Sequence, residues 1–136
     1  MLSNLQQNSP AHILNVGSMV GFTPTAYKTV YPASKAYVHS FTKSLREELK
    51  GTGVSVTLAA PGAMATNPEI CERIEKQGFF GRLTLKSTSK IARKCVDGTL
   101  RGKRQIVFTP ISYVLSRFFP ERWRIPLLSL VVKREL

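Results

Sequence analysis

The order of short apolar runs and long amphipathic segments constrains the fold of this 136-residue chain most strongly. Apolar residues cluster in runs at 12–16, 54–60 and 105–108 that predict buried strands. Helical periodicity fills the intervals, from about Val30 to Lys50 and from about Thr88 to Arg101. Strands and helices that alternate, with connections long enough for crossovers, predict a parallel sheet in an α/β fold.

Local signals mark the ends of both predicted helices. Pro32 suits a first helical turn, where its missing N–H costs nothing, and Gly51 and Gly53 follow the first helix as C-terminal glycines commonly do. Ser87 is the predicted N-cap of the second helix. Small and apolar residues repeat in the first helix at three- and four-residue spacing: Ala36, Tyr37, Ser40, Phe41, Ser44, Leu45 and Leu49.

Charge is the most skewed property, since 20 Lys and Arg face 8 Asp and Glu and give a net charge of +12. A basic surface favours anionic partners such as nucleic acid, acidic membrane or phosphorylated cofactors, and it equally fits a solvated basic face. The sequence has no zinc-finger spacing, RNP-like aromatic motif or RGG repeat, so we predict no nucleic-acid partner.

Cysteine and histidine usage predicts neither a metal site nor a disulfide framework. Cys71 and Cys95 are not part of a CxxC motif. His12 and His39 stand alone and are interpreted as structural residues. The polar first ten residues lack the apolar core of a signal peptide, so the predicted location is the cytoplasm.

Residues 110–136 form a basic, apolar extension to a domain that we assign to residues 1–109. Charged residues, Pro120 and Pro126 interrupt the apolar stretch between Ile111 and Val132. A transmembrane helix needs about 20 mostly apolar residues, so we reject a membrane span. Two short amphipathic segments joined near Pro120 are predicted instead. They could cover the core or a partner subunit, or make peripheral contact with a membrane surface.

Ser18, Tyr31 and Lys35 stand out as candidate catalytic residues. Tyr31 and Lys35 are four residues apart and share one face of the predicted helix. Ser18 follows a strand end, where α/β folds place ligands. An ammonium group favours the phenolate of a nearby tyrosine, which can then act as a general acid or base. A serine hydroxyl can stabilise charge on a carbonyl oxygen. Such a set could protonate a carbonyl during hydride addition, or deprotonate an alcohol in reverse.

Several motifs resemble the short-chain dehydrogenase/reductase family in order and spacing. They are Ile-Leu-Asn-Val-Gly-Ser at 13–18, Tyr-Pro-Ala-Ser-Lys at 31–35, Phe-Thr-Lys-Ser-Leu-Arg-Glu-Glu-Leu at 41–49, Gly-Val at 53–54 and Pro-Gly at 61–62. The resemblance is dense over residues 11–66. It implies a Rossmann-like doubly wound parallel sheet and an NAD(P)-dependent oxidoreductase that interconverts a carbonyl and an alcohol.

The resemblance also implies roles for single residues. Tyr31 matches the catalytic acid/base and Ser18 the substrate-orienting hydroxyl. Lys35 matches the residue that lowers the tyrosine pKa and binds the nicotinamide ribose, so Tyr31 and Lys35 count as cofactor-binding residues too. The Pro61-Gly62 turn matches the one beside the nicotinamide, and Thr66 matches a threonine that contacts the cofactor. The implied cofactor is NAD or NADP, with NADP slightly favoured.

The family's glycine-rich phosphate-binding loop is absent from this sequence. The resemblance therefore identifies residues 1–109 as the C-terminal half of the domain, holding the last three strands and their helices. Its first ten residues would be the end of the preceding helix. The first strand would then have an open edge, and the helix from Val30 would lack the neighbour that completes a dimer contact in relatives. We expect a homo-oligomer in full-length form, and a marginally folded, inactive chain in isolation.

Two points stay open at this stage. A truncated, non-catalytic paralogue that acts as an interaction subunit is the alternative function. The substrate is expected to be a small carbonyl or alcohol whose identity is set by residues 63–86. That segment contains a predicted short helix from Asn67 to Gln77. It also contains three apolar side chains that suggest an apolar pocket wall: Phe79, Phe80 and Leu83.

Overall fold

The computed structural model describes residues 1–62, Met64, Glu72 and 87–133. Thr66 and, apart from Glu72, the predicted helix at 67–77 lie outside the described residues, as do Phe79, Phe80 and Leu83.

The described elements alternate between helix and strand along the chain. In order they are α1 (Leu2–Gln7), β1 (Ala11–Val16), a 3-10 helix (Met19–Phe22), α2 (Val30–Glu48), β2 (Val54–Ala60), α3 (Thr88–Leu100), β3 (Gln105–Val107), α4 (Pro110–Phe118) and α5 (Glu121–Lys133). The strands and helices predicted within the described residues are all present, with ends that differ by at most two residues. The C-terminal segment forms two helices on either side of Pro120, as predicted.

The three strands form one parallel sheet in the order β1-β2-β3. Ala11 lies opposite Val54 in the β1–β2 pair, and Leu58 lies opposite Gln105 in the β2–β3 pair. The central strand β2 is almost entirely buried, whereas β1 is half-buried and, in the part of the chain that the structure describes, pairs only with β2. This confirms the predicted parallel α/β architecture in the form of a partial Rossmann-like fold.

Helices cover both faces of the sheet because alternate residues of β2 point to opposite sides. On one face Val54 and Val56 pack with Leu49 at the end of α2. On the other face Ala59 packs in a cluster with residues of α3 and of β3 and its end: Ile91, Cys95, Ile106 and Phe108. Burial raises the pKa of the Cys95 thiol, so this side chain behaves as a small apolar core residue. The fold is therefore doubly wound, as the sequence predicted.

The orientation of α2 was not evident from its periodicity. Its small and apolar repeat mostly faces away from the sheet, and the Tyr37 and Phe41 side chains there are 69% and 48% exposed. The buried face instead carries Pro32, His39 and Thr42. Contacts with the 3-10 helix and β2 decide which face is covered, and the repeat alone does not reveal those contacts.

Ser87 occupies the predicted N-cap position of α3, but its side chain accepts no cap hydrogen bond. The N-cap position is therefore confirmed, with an extended backbone at Ser87 where the helix begins.

Helices α4 and α5 pack against the segment between β1 and α2. The Tyr113 ring meets the Phe22 ring edge-on, with centroids 5.0 Å apart. The Ala26 backbone N–H donates to Ser129 Oγ at 3.0 Å. Within the described residues, no helix combines the length and the apolar character needed to cross a bilayer.

Candidate active site

Backbone hydrogen bonds lock the carboxyl ends of β1 and β2 together. The Gly17 N–H donates to the Ala59 carbonyl at 2.8 Å, and the Met19 N–H donates to the Pro61 carbonyl at 2.9 Å. Ser18 lies between these two bonds, so its backbone is fixed beside the turn that follows β2. The sequence-predicted Ser18 and Pro61-Gly62 thus share one edge of the sheet, the edge where open α/β folds bind ligands.

Ser18 is held at the start of the 3-10 helix. Its Oγ accepts the Val20 N–H at 3.4 Å, and the residue is only 9% exposed. An oxygen that accepts this bond keeps its own O–H free to donate elsewhere. Ser18 can therefore offer a hydrogen bond to a carbonyl oxygen at the strand ends.

Lys35 and Tyr31 lie in the first two turns of α2. The Lys35 ammonium is 5.7 Å from the centroid of the Tyr31 ring, a cation–π distance. The same ammonium donates to the Val16 carbonyl at 3.4 Å, which anchors it at the end of β1. Tyr31 is half exposed, and its hydroxyl has no hydrogen-bond partner among the described residues. That hydroxyl is therefore available to a ligand.

The described structure brings four of the predicted features to one end of the sheet: Ser18, Tyr31, Lys35 and the Pro61-Gly62 turn. Within the described ranges no hydrogen bond joins the Tyr31 and Ser18 hydroxyls. Their catalytic and cofactor-binding roles remain predictions.

His39 also contacts this site, although sequence reasoning assigned it only a structural role. It lies one turn after Lys35 on α2, is 3% exposed, and stacks at a tilt against Phe22 with centroids 4.4 Å apart. Its Nε2 accepts the Ser18 backbone N–H at 3.4 Å. His39 therefore supports the Ser18 backbone from behind.

Two glycines make room for the His39 ring. A Cβ built on Gly17 would lie 2.5 Å from His39 Nε2, and a Cβ on Gly21 would lie 2.7 Å from His39 Cε1. A sequence signal did exist, because Gly17 and Gly21 lie four residues apart and precede a histidine on a helix. It could not be interpreted without knowing that the segment after β1 packs on α2.

Burial keeps His39 neutral. Desolvation by burial is the main cause that lowers the pKa of His39, and the positive charges of Lys43 and Lys35 lower it further. A neutral ring with Nε2 as acceptor carries its proton on Nδ1. That atom is buried and has no hydrogen-bond partner among the described residues.

The structure thus places a half-buried lysine beside a tyrosine ring at the carboxyl edge of a parallel sheet in an α/β fold. The family model described as short chain dehydrogenase matches residues 1–95. The chain therefore belongs to the short-chain dehydrogenase family.

Curated relatives agree with this assignment. An uncharacterized oxidoreductase of Staphylococcus epidermidis is 46% identical over 65 residues, which cover 48% of this chain and 28% of the relative. An uncharacterized oxidoreductase of Staphylococcus aureus is 38% identical over 82 residues, or 56% of this chain and 36% of the relative. The matches thus span about a third of each relative's length.

Solved structures show the same fold. The chain aligns with a 7beta-hydroxysteroid dehydrogenase at a TM-score of 0.66 and 21% identity, over 85% of this chain and 46% of that one. It aligns with a protein of Thermus thermophilus at a TM-score of 0.53 and 22% identity, over 75% of this chain and 49% of that one.

Proposed function

We propose that this chain carries the catalytic residues of an NAD(P)-dependent oxidoreductase that interconverts a carbonyl and an alcohol, with Tyr31 as the acid/base. The observation that supports this most is the position of the Lys35 ammonium, beside the Tyr31 ring and tied to the end of β1. Membership of the short-chain dehydrogenase family supplies the reaction class.

In this proposal each side chain has one task. The nicotinamide cofactor supplies or accepts the hydride when it is bound. Tyr31 gives its hydroxyl proton to the substrate oxygen, and the Lys35 ammonium lies beside its ring. Ser18 donates its hydroxyl hydrogen bond to the same oxygen and stabilises the negative charge that develops there.

The residues present fit the nicotinamide end of a dinucleotide. Lys35 has three N–H donors, and its described hydrogen bond to Val16 uses a single one of them, so the others can serve ribose hydroxyls. The Pro61 carbonyl is held by Met19, and Gly62 next to it has no side chain to keep a flat ring away. The glycine-rich loop that would hold the phosphates is absent from the sequence.

The chain thus has residues for the nicotinamide end of the cofactor but no loop for its phosphates. The second part of the proposal is therefore that the 136-residue chain alone is inactive and binds dinucleotide poorly. Half of a cofactor site gives up the phosphate contacts, which provide much of the attraction for a dinucleotide. Titration of the isolated chain with NADPH tests this directly. Micromolar affinity of the isolated chain for NADPH would contradict it.

The catalytic proposal is tested in the chain extended upstream to the family's full length. NADPH and NADH oxidation with a panel of small, apolar ketones is measured for the parent and for Tyr31→Phe. Loss of a general acid costs about 10²- to 10⁴-fold, so we expect at least about a hundredfold fall in kcat/KM. Tyr37→Phe is the matched control, because Tyr37 is on the same helix but faces solvent. If the extended protein shows no turnover that depends on Tyr31, the proposal fails.

A second candidate is a non-catalytic interaction subunit. The outer face of α2 favours it, since the exposed Tyr37 and Phe41 rings stack with centroids 6.1 Å apart. The same face would serve a homo-oligomer of the full-length form. Co-purification of a separate dinucleotide-binding partner, with no change on Tyr31→Phe, would favour the subunit over the enzyme.

The cytoplasmic location and a peripheral membrane contact through residues 110–136 also stand as proposals. Liposome flotation of the chain with and without this segment separates a packing role of the segment from a membrane role. Equal flotation of the chain with and without residues 110–136 would exclude this segment as a membrane anchor.

A further inference from the structure

A cavity of about 650 Å³ lies between α2, the start of β3 and the helix pair α4–α5. Five cationic residues line it: Lys43, Arg46, Arg104, Arg117 and Arg124. Glu121 is the one carboxylate among its described lining residues, and Phe22, Leu58 and Phe119 supply apolar wall. This volume is within the range of about 300–1,000 Å³ found for small-molecule sites.

The cavity is separate from the candidate active site. Lys43 lies eight residues after Lys35, which places it about 12 Å further along α2. None of the lining residues belongs to β1, and β3 contributes Gln105, at its amino end. Ser18, Tyr31, Lys35 and Pro61 are not among the lining residues, so the two sites share no functional side chain.

Arg124 is the buried cation of this cavity. It is 8% exposed, and its two terminal nitrogens donate to the Phe119 carbonyl at 3.3 Å and to Glu121 Oε1 at 3.1 Å. Its Nε is buried without a hydrogen-bond partner among the described residues.

The other cations leave a surplus of positive charge. The guanidinium of Arg46 is occupied, because it donates to the carbonyls of Val56 and Gly102. The side chains of Lys43, Arg104 and Arg117 make no hydrogen bond or salt bridge with any other described residue, although the pKa of Glu47, a carboxyl outside the cavity lining, is lowered by its partner Lys50 and also by nearby Arg104. The one lining carboxylate, Glu121, is already paired with Arg124, so no described lining residue compensates these three charges.

We propose that the cavity binds an organic anion, with an oxyanion head group on an apolar body. The guanidinium groups of Arg104 and Arg117 present forked donors that match carboxylate and phosphate oxygens. The aromatic and aliphatic wall takes the apolar body. This site is independent of the proposed oxidoreductase function and uses none of its residues.

Calorimetric titration of the 136-residue chain tests the proposal with three probes of equal chain length: octanoate, octyl phosphate and 1-octanol. We expect saturable one-to-one binding of at least one anion, and at least tenfold weaker binding of the alcohol. The two anions distinguish the head groups. Equal affinity for the alcohol and both anions, or no saturable anion binding at millimolar concentration, would overturn the proposal.

Paired variants locate the site. Arg104→Gln with Arg117→Gln removes two exposed cationic side chains that make no described hydrogen bond or salt bridge, so the fold survives and anion affinity falls at least tenfold. Lys90→Gln with Arg93→Gln removes the same charge from α3 and changes the affinity less than twofold. A thermal melt checks that each variant is folded. Equal weakening by both pairs would mean that net charge alone attracts the anion, and would overturn the site. Tyr31→Phe leaves binding unchanged, which separates this result from the fate of the catalytic proposal.

Discussion

The two faces of α2 reverse the usual assignment of polar and apolar residues. The inner face buries His39 and Thr42, which are 3% and 1% exposed, while the outer face exposes Tyr37 and Phe41. Burial on this helix follows the available partners and not the hydrophobicity of the side chains. A polar residue is tolerated inside when its hydrogen bonds are satisfied, and an aromatic residue is left outside when nothing described covers it.

The two buried polar side chains of the inner face differ in how many of their polar atoms have hydrogen-bond partners. Thr42 Oγ1 donates to the Val38 carbonyl at 2.6 Å and accepts from Asn15 Nδ2 at 3.0 Å. His39 has a partner at Nε2 but none among the described residues at its buried Nδ1. Its place is therefore explained by packing, since the ring fills the gap between Gly17, Gly21 and Phe22.

The largest expected effect comes from removing the His39 ring. His39→Ala leaves a cavity between the 3-10 helix and α2, and removes the acceptor for the Ser18 N–H. We expect the free energy of unfolding to fall by about 3 kcal/mol, as for other large-to-alanine changes in cores. Urea denaturation followed by circular dichroism measures it.

Gly17→Ala supplies the control for that packing argument. In the parent chain its Cβ would overlap His39 Nε2, so the substitution should cost about 2 kcal/mol. In the His39→Ala background the overlap with the ring is gone and the contact with Leu58 Cδ1 at 3.1 Å remains, so the added methyl should cost less than about 1 kcal/mol. Additive losses in the double variant would show that the ring and Gly17 are not in contact.

Replacing Arg46, at the edge of the inner face, should cause the next large loss in the free energy of unfolding. Its guanidinium donates to the carbonyls of Val56 and Gly102, and so joins α2 to β2 and to the turn before β3. Arg46→Met keeps the apolar stem but leaves both carbonyls without this donor, which should cost about 2 kcal/mol. Lys43→Met, one turn earlier and exposed, should change stability by less than about 0.5 kcal/mol. Urea denaturation of both variants measures the difference. Equal losses of unfolding free energy would mean that the hydrogen bonds of Arg46 do not stabilise the fold.

Sequence reasoning predicted α2 and the strands better than it predicted their contacts. Local signals such as Pro32 and Gly51 fix where a helix can begin and end, and these predictions were confirmed. The inner face of α2 depends on His39 fitting against Gly17 and Gly21, which are about 20 residues away. Such a fit is a tertiary property, and the apolar repeat that includes Tyr37 and Phe41 indicated the opposite face.

For the candidate site, as for the fold, the sequence indicated the residues better than their tertiary contacts. Ser18, Tyr31 and Lys35 were singled out by a strand end and a helical four-residue spacing, together with surrounding motifs that resemble the short-chain dehydrogenase/reductase family, and their roles stay predictions. The anchoring of Lys35 on the Val16 carbonyl, and the support of Ser18 by His39, arise only when α2 packs on the end of β1. Local sequence features therefore indicate the candidate side chains but not the contacts that fix their positions.

A smaller, pH-dependent effect follows from the neutral state of His39. Because burial lowers its pKa in the folded chain, the unfolded chain takes up a proton near the ordinary value of 6.5 while the folded chain does not. The free energy of unfolding therefore falls as pH drops below 6.5, by at most about 1.4 kcal/mol per pH unit, until the folded form is also protonated. Unfolding midpoints of the parent and of His39→Gln between about pH 7.5 and 5.5 measure this. If the unfolding midpoints of the parent and of His39→Gln change with pH in the same way, His39 does not contribute to the pH dependence of stability.

The smallest expected effect on stability belongs to the outer face of α2. Tyr37→Ser and Phe41→Ser remove exposed rings that stack on each other, so each should change the free energy of unfolding by less than about 0.5 kcal/mol. Their effect should appear in self-association instead, because exposed aromatic rings favour protein contacts. Sedimentation velocity over a range of concentrations measures it, with Ser40→Ala, an exposed polar change on the same helix, as the control. A large loss of stability without any change in association would mean that the outer face packs within the chain, and that the two faces of α2 are less different than their exposure indicates.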